Sequence, residues 1–134
     1  MFKKILWSIC MAVTSMEISD DSHCAIEGCF EHPLYPIIKP REEGFLQVSD
    51  KHRLFYAVYG NPNGIPLVYL HGGPGAGCSD SLSRLFDLER WNVVMFDQRG
   101  AMRSEPFGCM EENTSQHLIE DIETLRKHLE VERW

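Results

Sequence analysis

The chain has little positive charge and no long apolar run, and both absences limit what it can bind. Its 134 residues carry 13 Lys and Arg against 20 Asp and Glu, a formal net charge of −7 with His counted as neutral. Nucleic acids and anionic membrane surfaces are bound by basic faces, so neither is expected as a partner. The apolar fraction of 43% argues against disorder, and the length allows one modest domain.

The cysteines lack the spacing of a metal site. None of the five lies at zinc-ligand distances from another, and we expect no metal and no cofactor (Cys10, Cys24, Cys29, Cys78 and Cys109). Cys24 and Cys29 would close a small disulfide loop in an oxidising compartment. The alternative, reduced thiols in a cytosolic protein, is favoured because odd and scattered cysteines are typical of that compartment.

The first 32 residues predict a leader, and residues 33–134 the folded part of the chain. Phe2-Lys3-Lys4 and the apolar stretch 5–16 resemble the basic and apolar regions of a signal peptide, although the stretch is too short to span a bilayer. The cleavage site after Ser15 is poor. We therefore expect a cytoplasmic protein, with export, or a start at Met11 or Met16, as the alternatives.

From residue 33 onward the hydrophobic pattern predicts strands followed by helices. Alternation predicts a hairpin of strands 44–49 and 53–59. In its second strand, Leu54, Tyr56 and Val58 are expected on one face and Phe55, Ala57 and Tyr59 on the other.

Two further strands and two helices are predicted beyond the hairpin. Strand 65–70 has no charges among its apolar residues, which predicts burial on both faces in a parallel region, and strand 91–96 follows it. Ser79 is expected to cap a short helix, 80–86, and a capping box at 113–116 to open a longer one. This order of elements predicts an α/β fold.

A histidine followed by glycines comes directly after the third predicted strand, as His71-Gly72-Gly73-Pro74-Gly75. Such a loop presents backbone N–H groups to an oxyanion in α/β-hydrolases. A phosphate-binding loop is excluded, because no lysine ends the loop and the third glycine of a dinucleotide fingerprint would fall at Cys78. A plain turn remains the alternative. We expect His71 to be a hydrogen-bonded scaffold residue that holds the loop, rather than a base.

No nucleophile of that class is present in the sequence, because it contains no Gly-x-Ser-x-Gly elbow. Cys78, Ser79 and Ser104 have no visible base partner and are rejected. His117 and His128 lie eleven residues apart on the last predicted helix, too far for one metal, and are expected to be solvated.

The fourth predicted strand ends in Asp97-Gln98-Arg99-Gly100. An Asp and an Arg at this edge could touch substrate. A charge pair of Asp97 with Arg99 that braces the loop is favoured, because an Arg can hold a carboxylate and several carbonyls at once.

Together these residues resemble proline iminopeptidases, serine peptidases of the α/β-hydrolase class. The combination of His-Gly-Gly-Pro-Gly with Asp-Gln-Arg-Gly is more specific than either motif alone. The resemblance covers about a hundred residues and rests on segments 34–36, 44–48, 59–64, 71–79, 86–91, 96–100, 112–114 and 129–134.

The resemblance implies a fold, a substrate and a partial site. The fold is the N-terminal portion of an α/β-hydrolase, with an antiparallel hairpin leading into a mostly parallel sheet that stops before the nucleophile elbow. The activity is release of an N-terminal proline from peptides, and the catalytic serine, aspartate and histidine have no counterpart in this chain. The oxyanion donors carried over are the N–H groups of Gly73 and its neighbour Gly72. Residues expected to support them are His71, Pro74, Gly75, Asp97 and Arg99.

The chain departs from the family pattern at Met102, where a glycine is usual, and in its leader. If position 102 needs a positive φ, Met102 strains the loop. We therefore expect a truncated or decaying product that is inactive alone. Another α/β-hydrolase, of the esterase or epoxide hydrolase type, and a non-enzymatic binding module remain the alternatives.

Overall fold

Four strands form one mixed sheet in the computed structural model of the chain, which describes residues 34–73 and 75–134. The sheet order is β1-β2-β4-β3, with β1–β2 and β2–β4 antiparallel and β3–β4 parallel. The strands are β1 (Glu42–Gln47), β2 (Arg53–Gly60), β3 (Ile65–Tyr69) and β4 (Trp91–Phe96). The predicted fold class, a hairpin leading into a parallel region, is confirmed. The predicted leader, with Cys10, Cys24 and Cys29, lies outside the described residues, and its boundary stays a prediction.

The two faces of β2 carry the two halves of the core, as its alternation predicts. Leu54, Tyr56 and Val58 belong to one buried cluster. Phe55, Ala57 and Tyr59 belong to the other. A helix therefore has an apolar surface to pack on at each face of the sheet.

One face of the sheet is covered by helix α1 (Ser115–His128). Leu125 is buried against the sheet, with Ile122 and Leu129 packed beside it. The capping box is one residue later than predicted: the Thr114 side chain accepts from the His117 N–H, and the His117 ring accepts from the Thr114 N–H. His117 is thus part of a helix cap, and its side chain is half-exposed. None of the helices in the described ranges is long and apolar enough to cross a bilayer.

The opposite face is covered by a short 3₁₀ helix, Asp80–Leu85, where the sequence predicted an α-helix. Ser79 lies at the N-cap position but makes no capping hydrogen bond, because its hydroxyl is bonded to that of Ser81. Leu82 and Phe86 pack against the core from this side.

Strand β3 is the edge of the sheet in the described residues, and the predicted burial on both faces is only half met: Leu67 and Tyr69 pack on one core cluster and Val68 on the other, but none of them is fully buried. Ile65 is exposed and the rest of the strand is half-buried. The Ile65 N–H donates to Arg90 O at 3.0 Å, toward β4. The backbone N–H and C=O groups of successive residues in a strand point to opposite neighbouring strands. The backbone groups of Pro66 and Val68 therefore face the open edge. Pro66 has no N–H to offer there, which leaves Val68 as the main pairing position.

We expect this open edge to make the chain self-associate, because Ile65 and Leu70 add exposed apolar side chains to unpaired backbone groups. Sedimentation velocity should show concentration-dependent association. The double variant Ile65→Lys/Leu70→Lys should weaken it. Leu85→Lys, at a residue equally exposed but on the 3₁₀ helix, is the matched control. A monomer at all concentrations, or an equal effect of the control, would contradict the prediction.

Candidate active site

The glycine loop leaves the C-terminal end of β3, beside the C-terminal end of the parallel strand β4. Gly72 and Gly73 are exposed, and no described residue accepts a hydrogen bond from either N–H group. Gly73 has φ +102°, a conformation that side chains disfavour. The backbone is held across the loop by the Ala76 N–H, which donates to Gly72 O at 3.4 Å. Pro74, a predicted support, lies outside the described residues.

The start of the loop is held by His71, whose ring is buried. Its Nε2 lies 3.0 Å from the Gln98 N–H nitrogen, and its Nδ1 lies 3.1 Å from Gly72 O. An amide N–H can only donate, so Nε2 must accept and Nδ1 must carry the proton. The Gln98 side chain donates in turn to His71 O at 2.8 Å. Both ring nitrogens are therefore engaged in holding the backbone, as expected of a scaffold residue.

The end of the loop is held by Asp97, which is fully buried. Its carboxylate accepts from the Cys78 N–H at 2.6 Å and from Arg103 Nε at 2.7 Å. Arg103 Nη2 donates to Cys78 O at 2.7 Å. The residue that ends the loop is thus bound through both its N–H and its carbonyl.

Arg99 does not pair with Asp97, so the predicted pair is wrong. Its guanidinium makes two 2.7 Å bonds to the carboxylate of Asp121 on α1, and Nη1 donates to Glu112 O at 2.7 Å. Asp97 faces the glycine loop, whereas Arg99, in the turn that follows, reaches the helix on the other face. The hydrogen bonds that Arg99 donates to Asp121 raise the pKa of Arg99 above its ordinary value. Arg99 nevertheless holds a carboxylate and a carbonyl together, which is the property of arginine on which the prediction was based.

The rejected nucleophiles have structural roles. Burial, with the nearby charge of Asp97, raises the pKa of the Cys78 thiol to about 11, so the reactive thiolate is scarce at neutral pH. The Ser104 hydroxyl donates to Asp97 O and accepts from the Phe55 N–H at 2.9 Å.

In residues 34–73 and 75–134, no group of three or more His, Cys, Asp or Glu is arranged to hold a metal ion.

Sequence reasoning missed three residues of this region: Gln98, Arg103 and Asp121. The role of Asp121 could have been predicted from the sequence, because Asp121 lies on the apolar face of α1 between Leu118 and Leu125. A carboxylate in such a place needs a buried partner. Gln98 and Arg103 lie in an irregular loop, and no periodicity marks the direction of their side chains.

Met102 has φ +39°, which bears out the expected strain at this departure. Its side chain is half-exposed and lies against Gly77, where a Cβ would collide with Met102. Gly77, at φ +66°, therefore makes room for Met102.

Replacing Met102 with glycine should raise the free energy of unfolding by up to about 1 kcal/mol, because glycine adopts positive φ without a side-chain penalty. The midpoint of urea unfolding measures the change. Met110→Gly is the control, because Met110 is exposed in the same loop and has no positive φ. An equal or lower stability of Met102→Gly relative to the parent would show that the loop accommodates methionine without cost.

A family model for the alpha/beta hydrolase fold matches residues 65–134, and the chain belongs to that family. Within it, the sequence relatives bear the name expected from the motifs. The chain is 50% identical over 101 residues to a proline iminopeptidase of Xanthomonas citri, covering 75% of this chain and 32% of that protein. It spans about a third of the length of this relative.

Two solved structures share the fold. A proline iminopeptidase-related protein from Thermus thermophilus aligns with a TM-score of 0.61 and 37% identity, over 69% of this chain and 34% of that one. An epoxide hydrolase from metagenomes of hot environments aligns with a TM-score of 0.56 over 67% of this chain and 30% of that one. Because the chain is only 23% identical to this epoxide hydrolase, the structural similarity between them shows a common fold and nothing more. The predicted resemblance to proline iminopeptidases is thus confirmed.

Proposed function

We propose that residues 34–134 are the N-terminal part of a proline iminopeptidase-like hydrolase and supply its oxyanion loop. The observation that carries the proposal is the pair of N–H groups at Gly72 and Gly73, which no residue in 34–73 or 75–134 binds and which lie at the edge where β3 and β4 end. Active sites of α/β sheets lie outside the carboxyl ends of the strands. The substrate is a peptide with an N-terminal proline, as the names of the sequence relatives suggest.

In this reaction the loop acts on the carbonyl of the proline residue. When a nucleophile attacks, negative charge develops on the carbonyl oxygen, and the Gly73 N–H donates to it, with Gly72 beside it. His71 holds its neutral ring against Gly72 O and Gln98 N–H, so it is not available as the base. The nucleophile, its base and the second oxyanion donor have no counterpart in this sequence.

An epoxide hydrolase or an esterase is the second candidate, since the same loop can serve those reactions. The sequence relatives favour the peptidase, because 50% identity to a proline iminopeptidase is much closer than 23% to the epoxide hydrolase that shares the fold. A non-enzymatic binding module would use the same scaffold without turnover. Cytoplasmic location stays a prediction.

We expect no hydrolysis of proline p-nitroanilide by this chain alone, and hydrolysis by a chimera. The chimera joins residues 34–134 to the part of the Xanthomonas citri protein that follows its matching region. An oxyanion loop stabilises charge only after attack, so the chain alone should equal the buffer blank. Turnover by the chain alone, or a folded chimera that cleaves an epoxide and no proline amide, would contradict the proposal.

A further inference from the structure

The glycine loop is bound at two places to the segment that follows β4. At its start, His71 exchanges two hydrogen bonds with Gln98. At its end, Cys78 is bound through its N–H by Asp97 and through its carbonyl by Arg103. Neither connection uses the N–H groups of Gly72 and Gly73, so the loop is positioned while these donors have no acceptor among the described residues.

In the second connection, the Arg103 side chain contacts three residues: Asp97, Cys78 and Phe55. Nε donates to one oxygen of Asp97 at 2.7 Å, and Nη2 donates to Cys78 O at 2.7 Å and lies 3.3 Å from the other oxygen of Asp97. The guanidinium also lies 3.8 Å above the ring of Phe55 on β2. Its plane is therefore fixed by the strand, the carboxylate and the loop together. A planar fork can do this and a single ammonium group cannot.

We infer that Arg103 is a positioning residue that sets the place of the oxyanion loop, acting through Cys78 and Asp97. The inference rests on the proposed function, because preorganised donors are what an oxyanion loop contributes to catalysis. Loss of Arg103 would free the Cys78 carbonyl and leave the buried carboxylate of Asp97 with one strong partner fewer. The end of the loop would then keep the bonds of the Cys78 N–H to Asp97 and of its thiol to Phe96 O, but would lose the bond at its carbonyl.

The test is backbone motion in the full chain, measured by ¹⁵N relaxation of Gly72, Gly73, Gly75 and Gly77. In the parent we expect order parameters near the rigid value of about 0.85, and in Arg103→Met and Arg103→Lys values below about 0.6. Lysine keeps the charge but not the fork, so it should not restore rigidity. The double variant Asp97→Asn/Arg103→Met, which leaves no lone buried charge, should be as mobile as Arg103→Met.

Arg53→Met is the matched control. Arg53 also pairs with a carboxylate, Glu105, and lies 4.6 Å from an aromatic ring, Phe45, but it makes no hydrogen bond to a described residue of the glycine loop. Its removal should leave the loop order parameters unchanged. Unchanged values in Arg103→Met, full restoration by lysine, or an equal loosening of α1 would overturn the inference.

Kinetics in the chimera separate this inference from the proposed function. Arg103→Lys should lower kcat about 10²-fold with a smaller change in KM, since misplaced donors affect the transition state most. An inactive parent chimera would contradict the proposed function, while the order parameters would still test the role of Arg103. An active chimera with an unchanged kcat in Arg103→Lys would overturn the inference alone.

Discussion

Asp121→Ala should destabilise the chain by about 3–5 kcal/mol, because it leaves the buried guanidinium of Arg99 without its carboxylate. Arg99 is 5% exposed and Asp121 1% exposed, so water cannot replace the lost partner. The nearest other carboxylate, that of Glu112, lies 3.6 Å away and is partly exposed. The midpoint of urea unfolding, monitored by far-UV circular dichroism, measures the loss.

Two comparison variants show whether the buried pair is the cause. Glu123→Ala removes an ion pair with Arg126 on the same helix that is much more exposed than the pair of Arg99 with Asp121, and it should shift the midpoint much less. Arg99→Met/Asp121→Leu removes both charges and should recover most of the stability, since no lone buried charge remains. Equal shifts for Asp121→Ala and Glu123→Ala would show that helix propensity, and not the buried pair, dominates.

Gly73→Pro should lower kcat of the chimera at least about 10²-fold, the usual effect of removing one oxyanion donor. Proline has no N–H, and its ring cannot adopt the φ of +102° found at this position. Gly73→Ala keeps the N–H but strains the backbone, so an intermediate loss is expected. Initial rates on proline p-nitroanilide measure both effects.

Gly72→Ala is the control for this series. A Cβ at Gly72 meets no atom within 4 Å, and its φ is not in the left-handed region, so alanine should be accepted with little change in rate. Each variant is also compared by its unfolding midpoint, which separates a lost donor from a lost fold. A Gly73→Pro chimera with the parent's rate would remove Gly73 from the oxyanion site.

The class of fold and the location of the candidate site could be read from local patterns. The alternation from Leu54 to Tyr59 assigned these six side chains of β2 to their faces, because the period of a strand is strict. The strand Trp91–Phe96 was predicted with its observed bounds. The histidine and glycines after β3 marked the loop, since such a sequence is not needed for an ordinary turn.

Pairings between distant residues could not be read in this way. The sequence predicted Asp97 with Arg99, but the turn after β4 sends the two side chains to opposite faces of the sheet, where Arg103 and Asp121 meet them. Burial of β3 also depends on its neighbours, and its apolar composition alone could not show that it forms an edge.

The sequence by itself thus determined the order of the strands and helices, the faces of β2 and the glycine loop, because each depends on residues near one another in the chain. Only the tertiary structure decided which side chains hold the loop. Those bonds join residues 19 and 25 positions apart, at Asp97–Cys78 and Arg103–Cys78. Their partners are chosen by the packing of β2, β4 and the loops in space, which no local pattern records.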